Sequence, residues 1–473
     1  MGQLPAVGNG LGDYPLPFKY LRLRALSCAI YNLIVKYYTI YVYSHMRIKK
    51  NASDHILRTI RDWEQFFSDH ASYFSTHVAV CAQGGTLDAI TNEKNKLIPS
   101  PHPITINRTR GLSASNIARL FTKHSVGMAT LGDLYAWSQT HGKHISIPWK
   151  NLKLARAVRI SSFDSGQEQS PHFIASLSYA VDQLSSVDAL VITQGTDSLV
   201  NKAALFAVTL SPYLYAAKKK VIFVGSSESG YVENSLAISN ITGSLYAVAE
   251  AVLPGGVYIV TNSRNASGEV IHILPGLGSV KLHADGLFYA PNTGSILRIE
   301  KGRVFKTRLS EDLHQRVKNL GLFPYLAKFY FKDSAINRLE RALENVSIES
   351  VDNDPDMLHM HYQKGKRIFL IRARGAGTAP EVWKEAVQKL TKRQDVTIMV
   401  ITQADRGDVN LVKYAAGLDI PGVLSGRTLR EESALVFAAI AHDLRLHEGY
   451  SLDDLQQLIE RYCYLAGMVS LGN

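Results

Sequence analysis

Three short turns of the sequence place hydroxyl groups beside glycine or a carboxylate. They lie at 83–86 (QGGT), 164–166 (DSG) and 194–198 (QGTDS). Glycine lets a backbone approach a ligand closely and leaves N–H groups near the hydroxyl, so each turn could contact a substrate. Taken singly, each is also what a strand-to-loop turn or a helix cap requires.

The threonine hydroxyls of these turns need help before they can react. A hydroxyl is a poor nucleophile at neutral pH and needs a base, and a lysine base needs a carboxylate to orient it. Thr86 and Thr196 supply the hydroxyls, and Asp197 supplies a carboxylate. Lys281, within 280–286 (VKLHADG), is the candidate base, although its local sequence also suits a solvated lysine.

The elements around the turns alternate between short apolar strands and helices. Such alternation indicates a parallel sheet covered on both faces, with its site at the carboxyl ends of the strands. The turns at 83–86 and 194–198 each follow a predicted strand. The predicted strands are 77–81, 189–193, 221–224 and 257–260, and the clearest predicted helix is 170–184.

A second lobe of the same kind is predicted after a charged and less regular stretch at 309–366, which we interpret as a linker with an insertion. That stretch contains one helical piece, 335–346. The predicted fold is α/β, with lobes at 76–308 and 367–473, each a mainly parallel sheet with helices on both faces. The strands of the second lobe are expected at 367–371, 396–402 and 422–425, and its helices at 381–392 and 431–446.

The composition is that of a folded protein. Of its 473 residues, 46% are hydrophobic and 20% are charged, so a full core can form and wholesale disorder is excluded. Cys28, Cys81 and Cys463 are too few and too scattered for a disulfide framework or a zinc site, which favours a reducing compartment.

The net charge of +11 is concentrated near the amino terminus. Residues 14–53 contain no acidic side chain, so a general nucleic-acid function loses most of its support and no nucleic-acid partner is expected. We interpret 1–75 as a basic, tyrosine-rich extension. Its basic residues between 14 and 53 are Lys19, Arg22, Arg24, Lys36, Arg47, Lys49 and Lys50.

The extension also contains an apolar stretch, 25–44, for which three interpretations stay open. It suits an amphipathic helix on a membrane surface, an acid-free targeting segment, or a membrane span, although Asn32 and Lys36 lie near its middle. Residues 55–75 have apolar side chains at helical spacing and predict a short helix that docks on another surface.

Taken together, the turns resemble the bacterial-type, cytoplasmic-like L-asparaginase family. The resemblance covers about 77–470, apart from 309–366. Its carriers are 84–87 (GGTL), like the family's Gly-Gly-Thr-Ile; Asp164-Ser165, like its substrate-carboxylate turn; 194–199 (QGTDSL), like its His-Gly-Thr-Asp-Thr-Met; 281–286 (KLHADG) followed by Pro291-Asn292; 374–380 (RGAGTAP), like its Gly-x-Gly-Asn-x-Pro; and a segment within 402–417.

The resemblance implies a threonine-nucleophile amidohydrolase that releases aspartate and ammonia from L-asparagine or a related linear amide. Thr86 would be the nucleophile, and Thr196, Asp197 and Lys281 would handle protons. It implies no metal or cofactor, and a homodimer or tetramer with sites near a subunit interface. The implied substrate-binding residues are Gly85, Ser165, Gly195, Thr196 and Asp197.

The sequence departs from the family pattern at several positions. The family has a tyrosine that helps to activate the nucleophile where this chain has Lys96-Leu97, and no tyrosine lies between Thr86 and Tyr135. Losing acid–base assistance of this kind costs on the order of 10²–10⁴ in rate. The other departures are Gln194 for histidine, Thr378 for asparagine and the extra residues at 270–277.

Three functions therefore stay open. The first is an active amidohydrolase in the cytoplasm or mitochondrion. The second is a weak or inactive asparaginase-fold subunit, a pseudoenzyme, within a larger assembly that residues 1–75 attach to a protein complex or a mitochondrial membrane. The third is an amidotransferase subunit that passes ammonia to a partner subunit.

Overall fold

The computed structural model describes residues 76–83, 89–91, 97–99, 152–159, 168, 170–227, 236–250, 252–265, 268–282, 287–300, 303–320 and 333–468. They all belong to one compact unit, Ser75–Asn473. The predictions made for 1–75, including the stretch 25–44 and the helix at 55–75, lie outside the described residues. No helix within the described ranges is both long enough and apolar enough to cross a bilayer.

Strands and helices alternate along the described part of the chain. The strands are β1 (Thr76–Ala82), β2 (Ala89–Thr91), β3 (Leu97–Pro99), β4 (Leu152–Arg159), β5 (Ala189–Thr193), β6 (Lys220–Val224), β7 (Gly256–Asn265), β8 (Gly268–Pro275), β9 (Val280–Lys281), β10 (Phe288–Tyr289), β11 (Leu297–Glu300), β12 (Arg303–Lys306), β13 (Val346–Ser350), β14 (Ile368–Ala373), β15 (Thr397–Thr402) and β16 (Val423–Ser425). The helices are α1 (Ser170–Leu184), α2 (Leu199–Ala216), α3 (Leu236–Ala249), α4 (Arg308–Leu320), α5 (Asp333–Glu344), α6 (Asp356–Gln363), α7 (Glu381–Thr391), α8 (Glu431–Glu448) and α9 (Leu452–Leu465).

The first sheet has a parallel half and an antiparallel half. Its strand order is β12-β11-β8-β7-β6-β5-β1-β4, and the neighbours from β4 to β7 run parallel. The neighbours from β7 to β12 run antiparallel and form the other edge. The predicted α/β fold is confirmed, and the strand predicted at 257–260 is part of the longer β7.

The central strand β5 shows why these strands read as continuous apolar runs. Ala189 and Val191 point into the core on one face of the sheet, with Leu245 of α3. Leu190 and Ile192 point into the core on the other face, with Phe206 of α2. Because both faces are covered by helices, alternation with polar residues is absent from this strand.

The second sheet is parallel throughout, in the order β13-β14-β15-β16. It starts inside the stretch 309–366 that the sequence analysis treated as a linker, because β13 pairs with β14. Helix α5 of the same stretch is attached to α8 by an ion pair between Arg338 Nε and Asp443 Oδ1 at 2.8 Å. Much of 309–366 is therefore an ordered part of the second lobe.

One hydrophobic core joins the two sheets. The same cluster of buried side chains contains Phe223 of the first sheet with Phe206 of α2, and Leu370 of the second sheet with Phe437 of α8. The hydroxyl of Tyr462 on α9 donates a hydrogen bond of 2.6 Å to the carbonyl of Val208 on α2. The described parts of the two lobes are thus packed against each other through α2, α8 and α9.

The core of the second lobe gives a test of the packing. Trp383 on α7 is 1% exposed, and its indole Nε1 donates a 3.1 Å hydrogen bond to the carbonyl of Asn353. Trp383→Ala should lower the free energy of unfolding by about 3–5 kcal/mol, the usual cost of deleting a buried aromatic side chain. Urea titration monitored by circular dichroism measures this.

The neighbouring residue supplies the matched control. Val382 lies on the same turn of α7 and is 56% exposed. Val382→Ala should change the free energy of unfolding by less than about 0.5 kcal/mol. Equal losses in the two variants would contradict the described burial of this helix.

Candidate functional site

The candidate site begins where β1 and β5 end side by side. The two strands pair in register up to Ala82 and Thr193. The pairing continues one residue further, because the backbone N–H of Gln83 donates to the carbonyl of Thr193 at 3.0 Å and that of Gln194 donates to Val224 at 2.9 Å. The residues that open two of the predicted turns, Gln83 and Gln194, are therefore fixed at the carboxyl edge of the sheet.

Several of the predicted site residues lie outside the described residues. They are Gly85 and Thr86 of the first turn and Ser165 of the turn at 164–166. The chain continues directly from Gln83 into the first turn. Their proposed roles remain predictions.

The second turn is described in full. Gly195 and Thr196 are buried, with Thr196 8% exposed, whereas the Asp197 side chain is 55% exposed. Helix α2 begins at Leu199, directly after this turn. The positive end of the helix dipole and the backbone N–H groups of its first turn therefore lie beside the two candidate residues, as the stabilisation of a developing negative charge requires.

Gly225, at the end of β6, makes room for this turn. A methyl group there would lie 2.8 Å from Leu199 Cδ1 and 3.0 Å from the carbonyl oxygen of Gln194. The side-chain amide of Asn240 donates a 2.6 Å hydrogen bond to the Gly225 carbonyl and holds the segment in place. The absence of a side chain at Gly225 is thus a condition for the position of the turn.

Lys281 reaches the turn from a small antiparallel hairpin formed by β9 and β10. It is paired with Phe288 in register, and the backbone N–H of Leu282 donates to the carbonyl of Leu287 at 2.8 Å. The Lys281 Nζ atom lies 2.6 Å from Asp197 Oδ1 and 3.4 Å from Thr196 Oγ1. The structure therefore brings together Thr196, Asp197 and Lys281.

This geometry suits proton transfer. A protonated lysine only donates, so the Thr196 hydroxyl accepts from Lys281 and can pass its own proton to another group. A neutral lysine in the same place would accept the Thr196 proton instead. Lys281 and Asp197 have side chains that are 20% and 55% exposed, so both can be reached from solvent.

The segment before Lys281 is anchored to the second lobe. The backbone N–H of Gly278 donates a 3.1 Å hydrogen bond to Ser433 Oγ on α8. Gly278 has a φ of +81°, and a methyl group there would lie 2.5 Å from Met468 Sδ. The extra residues at 270–277 form most of β8, which pairs with β7 and β11, so the insertion extends the sheet and leads the chain to this anchor.

The second lobe holds its own predicted turn together. Thr378 donates its backbone N–H and its hydroxyl to the carbonyl of Arg374, at 2.9 and 3.1 Å. The backbone N–H of Ala379 donates to Ala416, and that of Leu418 donates to Gly377. Thr378 thus closes the turn, and Ala379 attaches it to the segment 402–417.

A buried cluster below the two strand ends was missed by the sequence analysis. Lys202 on α2 has a completely buried side chain, and its Nζ atom lies 2.5 Å from Glu168 Oε1, whose side chain is 1% exposed. The same ammonium group donates to Gln83 Oε1 at 3.0 Å and to Gln194 Oε1 at 2.9 Å. Burial lowers the pKa of Lys202, and the charge of Glu168 opposes that shift.

Two signals in the sequence point to this cluster. Glutamine stands directly before the glycine of both the first and the second turn, at Gln83 and Gln194. Lys202 is the one ionisable residue of the otherwise mostly apolar 199–210, four residues after Ser198 and so on the same side of the helix. Neither signal identifies Glu168 as the counter-charge.

Comparison with known proteins places this arrangement in a family. The family model "Asparaginase, N-terminal" matches residues 77–310, which contain both strand-end turns and Lys281. Residues 77–310 are therefore a divergent asparaginase-family domain. The resemblance described in the sequence analysis is thereby confirmed.

Solved asparaginases share the fold at low sequence identity. The thermostable L-asparaginase from Thermococcus kodakarensis matches with a TM-score of 0.56 and 17% identity, over 84% of this chain and 100% of the other. A probable cytoplasmic L-asparaginase from Campylobacter jejuni matches with a TM-score of 0.55 and 18% identity, over 81% of this chain and 99% of the other. At this level of identity the likeness establishes an asparaginase fold.

A curated relative is a subunit of a different kind of enzyme. One of the subunits of the glutamyl-tRNA(Gln) amidotransferase of Archaeoglobus fulgidus is 24% identical over 279 residues, which are 58% of this chain. The match spans 60% of the length of that relative. This chain is therefore similar both to solved asparaginases and to one component of an amidotransferase.

The two lysine–carboxylate pairs of the site allow a direct test of burial. Glu168→Gln leaves the Lys202 ammonium buried without its counter-charge, and should lower the free energy of unfolding by about 3–5 kcal/mol. Asp197→Asn breaks the exposed pair with Lys281 and should change it by less than about 1 kcal/mol.

Urea titration of both variants beside the unmodified protein measures these changes. Each substitution replaces one carboxylate oxygen by an amide nitrogen, so size is matched and burial is the variable. Equal effects of the two substitutions would contradict the difference in burial between the pairs.

Proposed function

We propose that this protein is an amidohydrolase that converts L-asparagine, or a related linear amide, to aspartate or the corresponding acid and ammonia. The observation that carries the proposal is the contact of Lys281 Nζ with Asp197 Oδ1 at 2.6 Å and Thr196 Oγ1 at 3.4 Å. A lysine held between a threonine hydroxyl and an aspartate is the group that a threonine-nucleophile mechanism needs. The match of residues 77–310 to the asparaginase family model also supports the proposed activity.

The first half of the proposed reaction forms an acyl-enzyme. The Thr86 oxygen adds to the carbonyl carbon of the side-chain amide, and its proton passes to the group formed by Thr196 and Lys281. Backbone N–H groups around Gly195 and Thr196 stabilise the resulting oxyanion. The C–N bond then breaks, and the leaving nitrogen takes a proton and departs as ammonia.

The second half regenerates the enzyme. Water adds to the ester carbon, giving up one proton to Thr196 and Lys281, and the bond to the Thr86 oxygen breaks as that oxygen regains a proton. The net change is amide plus water to carboxylic acid plus ammonia. The chain's own residues carry every step, so the mechanism uses no metal or cofactor.

The α-amine and α-carboxylate of the substrate need separate partners. We assign the carboxylate to Ser165 and the backbone near Gly85, and the amine to Asp197. More than half of the Asp197 side chain is exposed, so it can face a bound amine while Oδ1 accepts from Lys281. The choice between asparagine and a longer amide depends on the turn at 164–166.

A second candidate function is supported by one observation. The similarity to one component of the glutamyl-tRNA(Gln) amidotransferase favours an ammonia-releasing protein that acts within a complex. In that role the same chemistry would take place, and a partner protein would receive the ammonia. The basic extension 1–75 is the segment that we expect to contact such a partner or a membrane.

We also propose that the protein assembles into oligomers and that the surface at Leu282, next to Lys281, takes part in the contact. The apolar side chains of Leu282, Val412 and Tyr414 are 55%, 71% and 51% exposed, and Leu282 directly follows Lys281. Exposed large apolar side chains of this kind favour a subunit contact. The oligomer that we propose is a homodimer or tetramer. The buried free thiols of Cys81 and Cys463 fit a reducing compartment of the cell.

Ammonia release from L-asparagine by the full-length protein tests the proposed function. Thr86→Ala should lower the rate to the background of the assay, because it removes the nucleophile. Thr391→Ala is the matched control, since the Thr391 hydroxyl donates a 3.2 Å hydrogen bond to the Gln388 carbonyl of its own helix. That control should retain the unmodified rate.

Two further outcomes separate the candidates. Release from asparagine that persists in Thr86→Ala would overturn the assignment of the nucleophile. No release from asparagine or glutamine by the folded protein, with substrate in large excess, would exclude a free-standing amidohydrolase and favour a role within a complex.

A further inference from the structure

We propose that Lys202 is a positioning residue, whose ammonium group sets the relative placement of the three turns that carry the proposed nucleophile, substrate clamp and proton-handling group. The inference rests on the proposed function for the meaning of those turns. It concerns a residue that takes no part in the chemistry itself.

The Lys202 ammonium group donates three hydrogen bonds. An ammonium group has three donors, and here they reach Glu168 Oε1, Gln83 Oε1 and Gln194 Oε1 at 2.5, 3.0 and 2.9 Å. Every donor is used, and the side chain has no exposed surface. A buried lysine with these three contacts is not presented to a substrate, so we assign Lys202 no step in the proposed reaction.

The three acceptors come from three separate segments of the chain, and each lies in or near a different turn. Gln83 opens the first turn, and Gln194 opens the second. Glu168 follows Ser165 by three residues. One charged group therefore joins three chain segments that are far apart in the sequence.

Gln194, Ser198 and Glu168 are also bonded to one another. The Gln194 side-chain amide donates to Glu168 Oε2 and to Ser198 Oγ, both at 2.7 Å, and the Ser198 hydroxyl donates to Glu168 Oε2. Gln194 Nε2 thus uses both of its hydrogens, and both oxygens of Glu168 accept. Shared bonds of this kind restrict the arrangement of the buried side chains, which is the property that a positioning group needs.

The buried ion pair between Lys202 and Glu168 is hard to explain by stability alone. A buried ion pair is weak support for stability, because apolar residues of similar volume are often as stabilising or more so. A purely structural role therefore gives little reason for a lysine and a glutamate at this point. Their place at the carboxyl ends of β1 and β5, where parallel sheets put their sites, gives a functional one.

The structure offers a matched control at the amino ends of the strands of the same sheet. Lys220 begins β6 and is also buried, and its ammonium group donates to the carbonyls of Ala247, Val248 and Glu250 at 3.1, 2.9 and 2.7 Å. Its three acceptors are backbone groups at the end of α3. It has the same number of bonds as Lys202 but no connection to the turns.

The experiment compares three variants of the full-length protein with the unmodified protein. They are Lys202→Met, the double variant Lys202→Met with Glu168→Gln, and Lys220→Met. Lys202→Met leaves the Glu168 carboxylate buried and unpaired and is expected to lose stability. The double variant removes both charges and should recover the urea midpoint of the unmodified protein.

Turnover of L-asparagine is the first readout. We expect kcat of the double variant to remain about 10²-fold below that of the unmodified protein, because a displacement of about 1 Å in reacting groups has that effect. Lys220→Met should keep its kcat to within about threefold in the fraction that is folded. Recovery of kcat together with stability in the double variant would overturn the proposal, since Lys202 would then be structural only.

Hydrogen exchange without substrate is the second readout and does not need an active enzyme. Removing Lys202 should speed amide exchange in 84–86, 164–166 and 195–198, in the single and the double variant alike, and leave these segments unchanged in Lys220→Met. Unchanged or uniformly faster exchange would overturn the positioning role. Absence of turnover in the unmodified protein would refute the proposed function alone, and exchange would still decide the role of Lys202.

Discussion

Parallel pairing of β1, β5 and β6 in register decides where every group of the site can lie. The pairing extends one residue beyond the strands, through the backbone of Gln83 and Gln194, so two turns from distant parts of the sequence start at the same height. Gly225 at the end of β6 leaves the space that the second turn occupies. The remaining parts of the site are added to this edge, and none of them could meet if one strand slipped by a residue.

Two lysine–carboxylate pairs of nearly equal length then serve different purposes. Lys281 and Asp197 are partly exposed, as the proton-handling role that we propose for them requires. Lys202 and Glu168 are sealed from solvent, so their strength goes into fixed geometry. The two pairs differ in burial and not in distance. An interaction in the low-dielectric interior is stronger and does not exchange with water, which suits the positioning role proposed for Lys202 and not the reacting role proposed for Lys281.

The sequence alone predicted the α/β fold, the ends of β5 and α1, and the set of Thr196, Asp197 and Lys281. Periodicity and strand-end turns are local, and the family's motifs are short, so these features can be read directly. The strand β13 could not be predicted, because Glu349 in its middle suggests an exposed charged stretch. Glu349 is buried only because Ser347 and His361 bind its carboxylate, at 2.6 and 2.5 Å. The Lys202 cluster stayed hidden for the same reason, since its partners, such as Gln83, come from remote segments.

The contact between Gly278 and the end of the chain makes the first lobe dependent on the last residues of the second. Met468 fills the space beside Gly278, and Ser433 holds its backbone N–H, three residues before Lys281. The span 77–310 contains all the proposed reacting groups, but residues outside it hold the segment that leads to Lys281. Substitutions at Ser433 on α8 or at Met468 after α9 would therefore act on the position of the proposed proton-handling lysine, so the second lobe is a place where the proposed activity can be tuned without altering any proposed reacting residue.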